Sequence, residues 1–257
     1  MHSVIHKALL AFILVATLTA CNETPSAVDQ YLQTTNQQCP QPLYPGSQSK
    51  FIGISQHDTI LNFNYHIHES DSLWASIQQN EATLRIDIEA MLSSTLPEME
   101  ELLKLLNTHN LALTFNYTLT THPEHTLPIH FTSQQLQNLW KQPVTTKDAA
   151  GRKIQIHLQN LHSRLPLPLT ENALLSTIRQ NSDTLHLHII LPEEPFMALR
   201  LQTPQQISAS KRELIHELQK SQLHDILNLL PIANHTLHAT YYGKTSNESI
   251  SITLYTP

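Results

Sequence analysis

The sequence predicts an α+β protein made of two tandem repeats. Each repeat has the order helix-strand-strand-helix-strand-strand and forms a helix layer on an antiparallel sheet. Residues 28–43 match 154–169 at an offset of 126, and residues 102–118 match 226–242 at an offset of 124. Two separate blocks that share nearly one offset indicate a repeated structural unit. Chance matching in a chain rich in Leu, Gln and His is the alternative.

The second block carries the clearest identities. It matches Leu103, Leu105, Leu106, Asn110, Leu113 and Tyr117 with Leu227, Leu229, Leu230, Asn234, Leu237 and Tyr241. We therefore expect the chain to divide into a signal peptide (1–20), a tether (21–27), a first repeat (28–140), a linker (141–152) and a second repeat (153–257).

Each repeat is expected to open with a short helix, at about 26–36 and 153–163. A Pro-x-Pro sequence follows each helix, at 40–42 and 166–168. Proline stops a helix and favours extended chain before it. A strand should therefore come next.

The first predicted strand alternates apolar and polar side chains. In 59–68 the apolar residues are Leu61, Phe63, Tyr65 and Ile67, and its counterpart at 185–191 has the same period of two. This period is typical of a strand with one face buried and one face wet. The aromatic side chains of these strands, with Phe115 and Tyr117, are expected in the core.

A second strand is predicted around 84–88 and 199–201, followed by a long helix. Thr95 to Glu98 and Ser210 to Glu213 both fit a capping box, and the helices end near Leu106 and Leu230. Two alternating strands then close each repeat. The predicted strands are 111–120 with 127–131, and 235–242 with 249–255.

The N-terminal segment resembles the signal peptide of bacterial lipoproteins. Lys7 precedes an apolar run from Ala8 to Ala20, and Leu18-Thr19-Ala20-Cys21 matches the lipobox. The resemblance implies cleavage before Cys21, which would carry a diacylglycerol and an N-acyl chain such as palmitate. It also implies an outer-membrane location, because Asn22 stands where Asp is associated with inner-membrane retention. An ordinary secretion signal is the alternative.

The composition excludes several classes of partner and site. Removal of Lys7 with the signal leaves 14 Lys and Arg against 21 Asp and Glu, a formal charge of −7. This balance argues against nucleic acid, which is bound through clustered Lys and Arg. The chain has only four glycines, so a glycine-rich phosphate-binding loop is not predicted. Cys39 would be the only free thiol, so no intrachain disulfide is expected. Cys39 is expected to be buried and unreactive.

The 17 histidines include two pairs spaced two apart on predicted strands, His66 with His68 and His186 with His188. Each pair points one way and could contribute to a zinc, nickel or copper site, with Asp87 or His130 as a further ligand. Otherwise these imidazoles only fill the wet faces of strands, or respond to acid pH. No cofactor or metal is predicted.

Hydrolase motifs are incomplete. The Ser-x-x-Lys strings at 47–50 and 208–211, with Lys244-Thr245-Ser246, lack the glycine and the Ser-Asp-Asn element of penicillin-binding serine enzymes. No Gly-x-Ser-x-Gly elbow occurs. The carboxylates at 98, 100 and 101, and at 193 and 194, fit helix starts better than an acid/base pair.

Three functions remain open at this point. The first is a non-enzymatic lipoprotein, anchored in the membrane by its lipid, that binds another envelope protein or has a structural role in the envelope. The second is a periplasmic metal binder that uses the strand histidines. The third is an enzyme whose catalytic residues are scattered along the chain. We expect the first.

Overall fold

The computed structural model describes residues 25–68, 74, 77, 81–246 and 248–257 of the protein. These residues form eight helices and two five-stranded sheets, which confirms the predicted α+β class with two sheet-plus-helix units. The chain divides between Thr145 and Thr146, and the two parts are called unit 1 and unit 2. The predicted signal peptide and Cys21 lie outside the described residues, as does most of the tether.

Unit 1 contains four helices and five strands among its described residues. In chain order they are α1 (Ala27–Asn36), β1 (Gln41–Pro42), β2 (Lys50–His57), β3 (Ile60–Ile67), α2 (Glu81–Leu92), α3 (Pro97–Thr108), β4 (Ala112–Leu119), β5 (Thr126–Phe131) and α4 (Ser133–Lys141).

Unit 2 repeats the order of strands seen in unit 1. Its elements are α5 (Thr146–His162), β6 (Leu167–Thr170), β7 (Ala173–Asn181), β8 (Thr184–Leu191), α6 (Glu193–Arg200), α7 (Pro204–Lys220), α8 (His224–Ala233), β9 (Thr236–Gly243) and β10 (Ser249–Tyr255).

The two sheets share one topology. Their strand orders are β1-β2-β3-β4-β5 and β6-β7-β8-β9-β10. In each sheet the third and fourth strands are parallel and the other neighbours are antiparallel. Each sheet is therefore mixed rather than purely antiparallel. The parallel pair needs a crossover, which the helices between the two strands supply.

The register of the sheets follows the offset of 124. Leu61 pairs with Leu113 in unit 1, and Leu185 pairs with Leu237 in unit 2. Backbones with positive φ also correspond, at Asp58 and Asn110 in unit 1 and at Ser182 and Asn234 in unit 2. Asn and Asp tolerate this left-handed conformation better than most residues.

Each second strand contains a β-bulge at the same place. The register shifts between Phe51 and Gly53 in β2, and between Leu175 and Thr177 in β7. A bulge inserts one extra residue, so the side chains that face the core are no longer two apart. These two strands are absent from the sequence prediction for this reason.

Each unit has its own hydrophobic core between its helices and one face of its sheet. In unit 1 the predicted aromatic residues Phe63, Tyr65, Phe115 and Tyr117 are all buried there. Their rings pack in a series, with Phe63 and Phe115 centroids 5.3 Å apart and Tyr65 and Tyr117 centroids 5.1 Å apart. Their predicted place in the core is confirmed.

The strands predicted around 84–88 and 199–201 are wrong. Residues 84–88 lie in α2, where Leu84, Ile88 and Leu92 recur every four residues and are buried. The second segment lies at the end of α6, and Leu201, just beyond that helix, is 79% exposed. A window of five residues fits both a strand and a helix, and only the longer window separates them.

The predicted helix caps are also wrong in position. The residue before α3 is Leu96, which makes no side-chain cap bond, and Ser210 lies inside α7. The capping boxes instead begin α1, α4 and α7, at Ser26, Thr132 and Thr203. The predicted linker 141–152 contains the break between units, but its second half is the start of α5.

Candidate binding faces

Each sheet has one face that the helices of its unit do not cover. On unit 1 this polar face is formed by Lys50, Ser55, His57, Asn62, Asn64, His66, Thr114, Asn116, Thr118, Thr126, Pro128 and His130. On unit 2 it is formed by Leu174, Thr177, Arg179, His186, His188, Ile190, His238, Thr240, Tyr242, Ser249, Ser251 and Thr253. Nearly all of these residues are half-buried or exposed, as expected on an open sheet face.

Side-chain amides connect the strands of the polar face of unit 1. The Asn116 Nδ2 group donates to Asn64 Oδ1 at 3.1 Å across the parallel pair, and Asn64 Nδ2 lies 3.3 Å from Ser55 Oγ on β2. On the other side, Thr114 Oγ1 and His130 Nδ1 are 2.9 Å apart. Satisfied amides and hydroxyls hold their rotamers, so this face is an ordered polar surface.

Ring stacking connects the strands of the polar face of unit 2. His186 on β8 and His238 on β9 stack with centroids 5.5 Å apart, and His188 and Tyr242 stack at the same separation. The register places Arg179 of β7 beside His186, which gives a row of three nitrogen-rich side chains across three strands.

This clustering changes the proton affinity of His188. Desolvation lowers the pKa of His188 below its ordinary value of 6.5, and the positive charges of Arg179 and His186 lower it further. Neighbouring cations disfavour a further positive charge. An anion placed beside His188 would therefore favour the protonated form of that side chain.

None of the ten described strands contains Asp or Glu. Apart from Tyr242, the ionisable side chains of the two polar faces are instead basic. They are Lys50, His57, His66 and His130 on unit 1, and Arg179, His186, His188 and His238 on unit 2. His57, at the end of β2, lies 3.2 Å from the carboxylate of Asp58 in the following turn. The acidic side chains among the described residues lie on helices and loops. The strands of the polar faces thus carry no acidic side chain, although the chain as a whole is acidic.

The structure separates the residues predicted as possible metal ligands. His186 and His188 share the polar face of unit 2, whereas His68 lies just beyond β3, where its backbone N–H donates to Ser49 Oγ. Asp87 lies on α2, and its charge acts on Tyr117 on the helix-covered side of the sheet. Among the described residues, no group of three or more His, Cys, Asp or Glu side chains is placed to hold a metal ion.

The other predicted carboxylates and serines have local roles. Glu98 and Glu100 lie in the first turn of α3, and Glu193 and Glu194 in that of α6, where carboxylates complement the helix dipole. Ser208 lies within α7, and its Oγ donates to the Pro204 carbonyl.

Sequence reasoning missed one contact of Glu193. Its carboxylate accepts hydrogen bonds from the side chain of Thr245, 2.7 Å away, and from the Thr245 backbone. These bonds lower the pKa of Glu193. The Lys244-Thr245-Ser246 string therefore anchors the loop after β9 to the start of α6.

Cys39 is half-buried, and its Sγ lies 3.5 Å from the Thr35 carbonyl oxygen. Burial raises the pKa of the thiol. The thiol form therefore predominates over the more reactive thiolate at neutral pH.

No described helix is both long and apolar enough to span a membrane. Comparison of the chain with protein-family models, with curated proteins and with solved structures gives no match.

Proposed function

We propose that the protein is a lipoprotein, anchored in the outer membrane through lipid on Cys21, whose polar sheet faces bind another envelope protein without catalysis. The observation that supports this best is the sign of the polar faces, which carry only basic or neutral side chains on an acidic protein. Charge complementarity steers association and selects partners. The partner should therefore present an acidic surface, and nucleic acid is not expected as a ligand.

The anchor has a direct test. Cys21→Ser removes the sulfur that accepts the diacylglycerol, so incorporation of labelled palmitate should be lost and the protein should remain uncleaved or become soluble. Two or more acyl chains give stable anchoring, whereas one gives only reversible binding. Persistent palmitate labelling of the Cys21→Ser protein would show that the lipobox interpretation is wrong.

The binding faces have a separate test in the lipidated, full-length protein. A photo-crosslinking amino acid is placed at Asn64 or His186, one on each polar face, and in control proteins at the exposed positions Arg212 or His216 on α7. We expect a discrete crosslinked partner from at least one face position and none from the α7 positions. Equal crosslinking from face and helix positions would contradict the proposal.

A charge test follows for the partner once it is captured. Arg179→Gln with His238→Gln should weaken its binding, and raised salt should do the same. The matched control is Arg212→Gln with His216→Gln, which removes the same residue types from an exposed helix face of the same unit. The two double variants should differ clearly in affinity.

A further inference from the structure

Strand β10 forms an exposed edge of the unit 2 sheet. Within the described residues it pairs only with β9. Ser249, Ser251 and Thr253 are exposed, while Ile250 and Ile252 on the helix-covered side are half-buried. An edge strand with unpaired backbone groups is a template for another strand.

The direction of the free backbone groups follows from comparison with unit 1. Pro128 of β5 pairs with Asn116, and Ser251 of β10 pairs with Thr240, at the equivalent position of the register. Proline has no N–H and cannot donate to the ladder, so its nitrogen faces away from the neighbouring strand. The N–H of Ser251, at the equivalent position, therefore points outward.

Backbone groups alternate in direction along an antiparallel strand. Ser249 and Thr253, two residues either side of Ser251, consequently point their N–H and C=O groups outward as well. The hydroxyl contact between Thr240 and Ser251, 3.0 Å long, fits the closer approach of a pair that does not share backbone hydrogen bonds.

The two units differ in how this edge is protected. In unit 1 the outward position holds Pro128, which removes a donor and blocks a further strand. In unit 2 the strand Ser249–Tyr255 contains no proline and no charged residue. Glu248, directly before it, is paired with Arg200.

We propose that two copies of this protein pair through β10 in antiparallel orientation about a two-fold axis at Ser251. Ser251 then lies opposite Ser251 of the other copy, Ser249 opposite Thr253, and Ile250 opposite Ile252. Hydroxyl side chains meet on the polar face and isoleucines meet on the helix-covered side. The strand is thus complementary to itself in a way that a closed two-fold interface requires.

This pairing joins the two unit 2 sheets into one continuous sheet. The three outward residues of each strand allow about six backbone hydrogen bonds across the axis. Facing hydroxyl pairs and facing β-branched pairs both stabilise neighbouring strands. Strand β10 has no charged side chain, so no like charges face each other across the axis.

The first test measures the molar mass of the unlipidated chain from Asn22 by sedimentation, over a concentration series to about 100 µM. We expect a concentration-dependent dimer. Ser251→Pro should raise the dimer dissociation constant at least about tenfold, because two central hydrogen bonds are lost. Ser251→Ala loses the hydroxyl contact to Thr240 and the hydroxyl pair at the axis but keeps the N–H, so it should weaken the dimer less than Ser251→Pro does.

A second pair of variants tests the register without altering the backbone. Ser251→Lys and Ser251→Glu each place like charges directly opposite one another, so each variant alone should be monomeric. An equimolar mixture should form a one-to-one heterodimer, because opposite charges then meet. A parent chain that is monomeric throughout the series would overturn the proposal. So would a dimer that Ser251→Pro leaves intact, or charge variants that fail to recombine.

Discussion

The Asn36 side chain closes a gap in the unit 1 sheet, and its removal has a calculable cost. Strand β1 pairs with β2 only at Lys50 and Phe51, so the next part of β2 has no strand beside it. Asn36, the last residue of α1, fills this place. Its Oδ1 accepts from the Ile54 N–H and its Nδ2 donates to the Ile54 carbonyl, both at 2.7 Å.

The loss in the free energy of unfolding caused by Asn36→Ala depends on whether water can take the place of the removed side-chain amide. Ile54 is 4% exposed, and two dry, unsatisfied backbone groups would cost about 2–6 kcal/mol. Asn36 itself is exposed, so water reaches the vacated position. The net worth of two ordinary hydrogen bonds, about 1–3 kcal/mol, is therefore the expected loss in the free energy of unfolding.

The assay is urea unfolding of the unlipidated chain followed by tryptophan fluorescence, because Trp74 and Trp140 both belong to unit 1. Hydrogen exchange at the Ile54 amide supplies a local measurement, and exchange there should become faster. The matched control is His162→Ala in unit 2, where His162 makes one bond of 3.0 Å to the Ile178 carbonyl. A loss below about 0.5 kcal/mol for Asn36→Ala, with unchanged exchange, would refute the reasoning.

Three further predictions concern charge, capping and metal. Because the pKa of His188 is lowered in the folded protein, the unfolded chain binds this proton more readily, and His188 therefore reduces the stability of the fold as the pH falls through 6.5. Arg179→Gln should move the pKa of His188 back toward 6.5 in an NMR titration. Thr203→Ala removes the hydroxyl that caps α7 and should cost about 1 kcal/mol in urea unfolding, whereas Ser208→Ala inside the helix should cost less. Calorimetric titration with zinc, copper or nickel should show no stoichiometric site tighter than about 1 µM, and His66→Ala with His68→Ala should change stability by no more than about 0.5 kcal/mol.

Elements with an unbroken period could be predicted from the sequence. Strands β3, β8 and β9 alternate strictly between buried and less buried residues, and β4 does so except at the buried Thr114. Each of the four agrees with its prediction to within about two residues. Strands β2 and β7 could not be found in this way. Their bulges separate the core-facing residues Phe51 and Ile54, and Leu175 and Ile178, by three positions.

The polar faces were only partly predictable. The wet faces of β3 and β8 follow from their alternation, and the histidine pair at 186 and 188 is on such a face. The stacking of His186 on His238 depends on the parallel pairing of β8 with β9. These strands are separated by three helices, so spacing along the chain carries no signal for their contact. The self-complementary edge of β10 likewise depends on the strand order.

The side chains that pair across the two parallel strand pairs, β3 with β4 and β8 with β9, have a consequence for how two similar units fold in one chain. Strand β3 must find β4 across a segment that includes the described helices α2 and α3, and β8 must find β9 across α6, α7 and α8, while both units have the same strand topology. An exchange of strands between units would place Asn64 beside Thr240 and Asn62 beside His238. The hydrogen bond between the side-chain amides of Asn64 and Asn116 would be lost, and so would the stacking of His186 on His238. Each lost cross-strand pair would cost about 0.2–1 kcal/mol. Because the side chains that pair across β3 and β4 differ from those that pair across β8 and β9, pairing of strands from different units is disfavoured during folding.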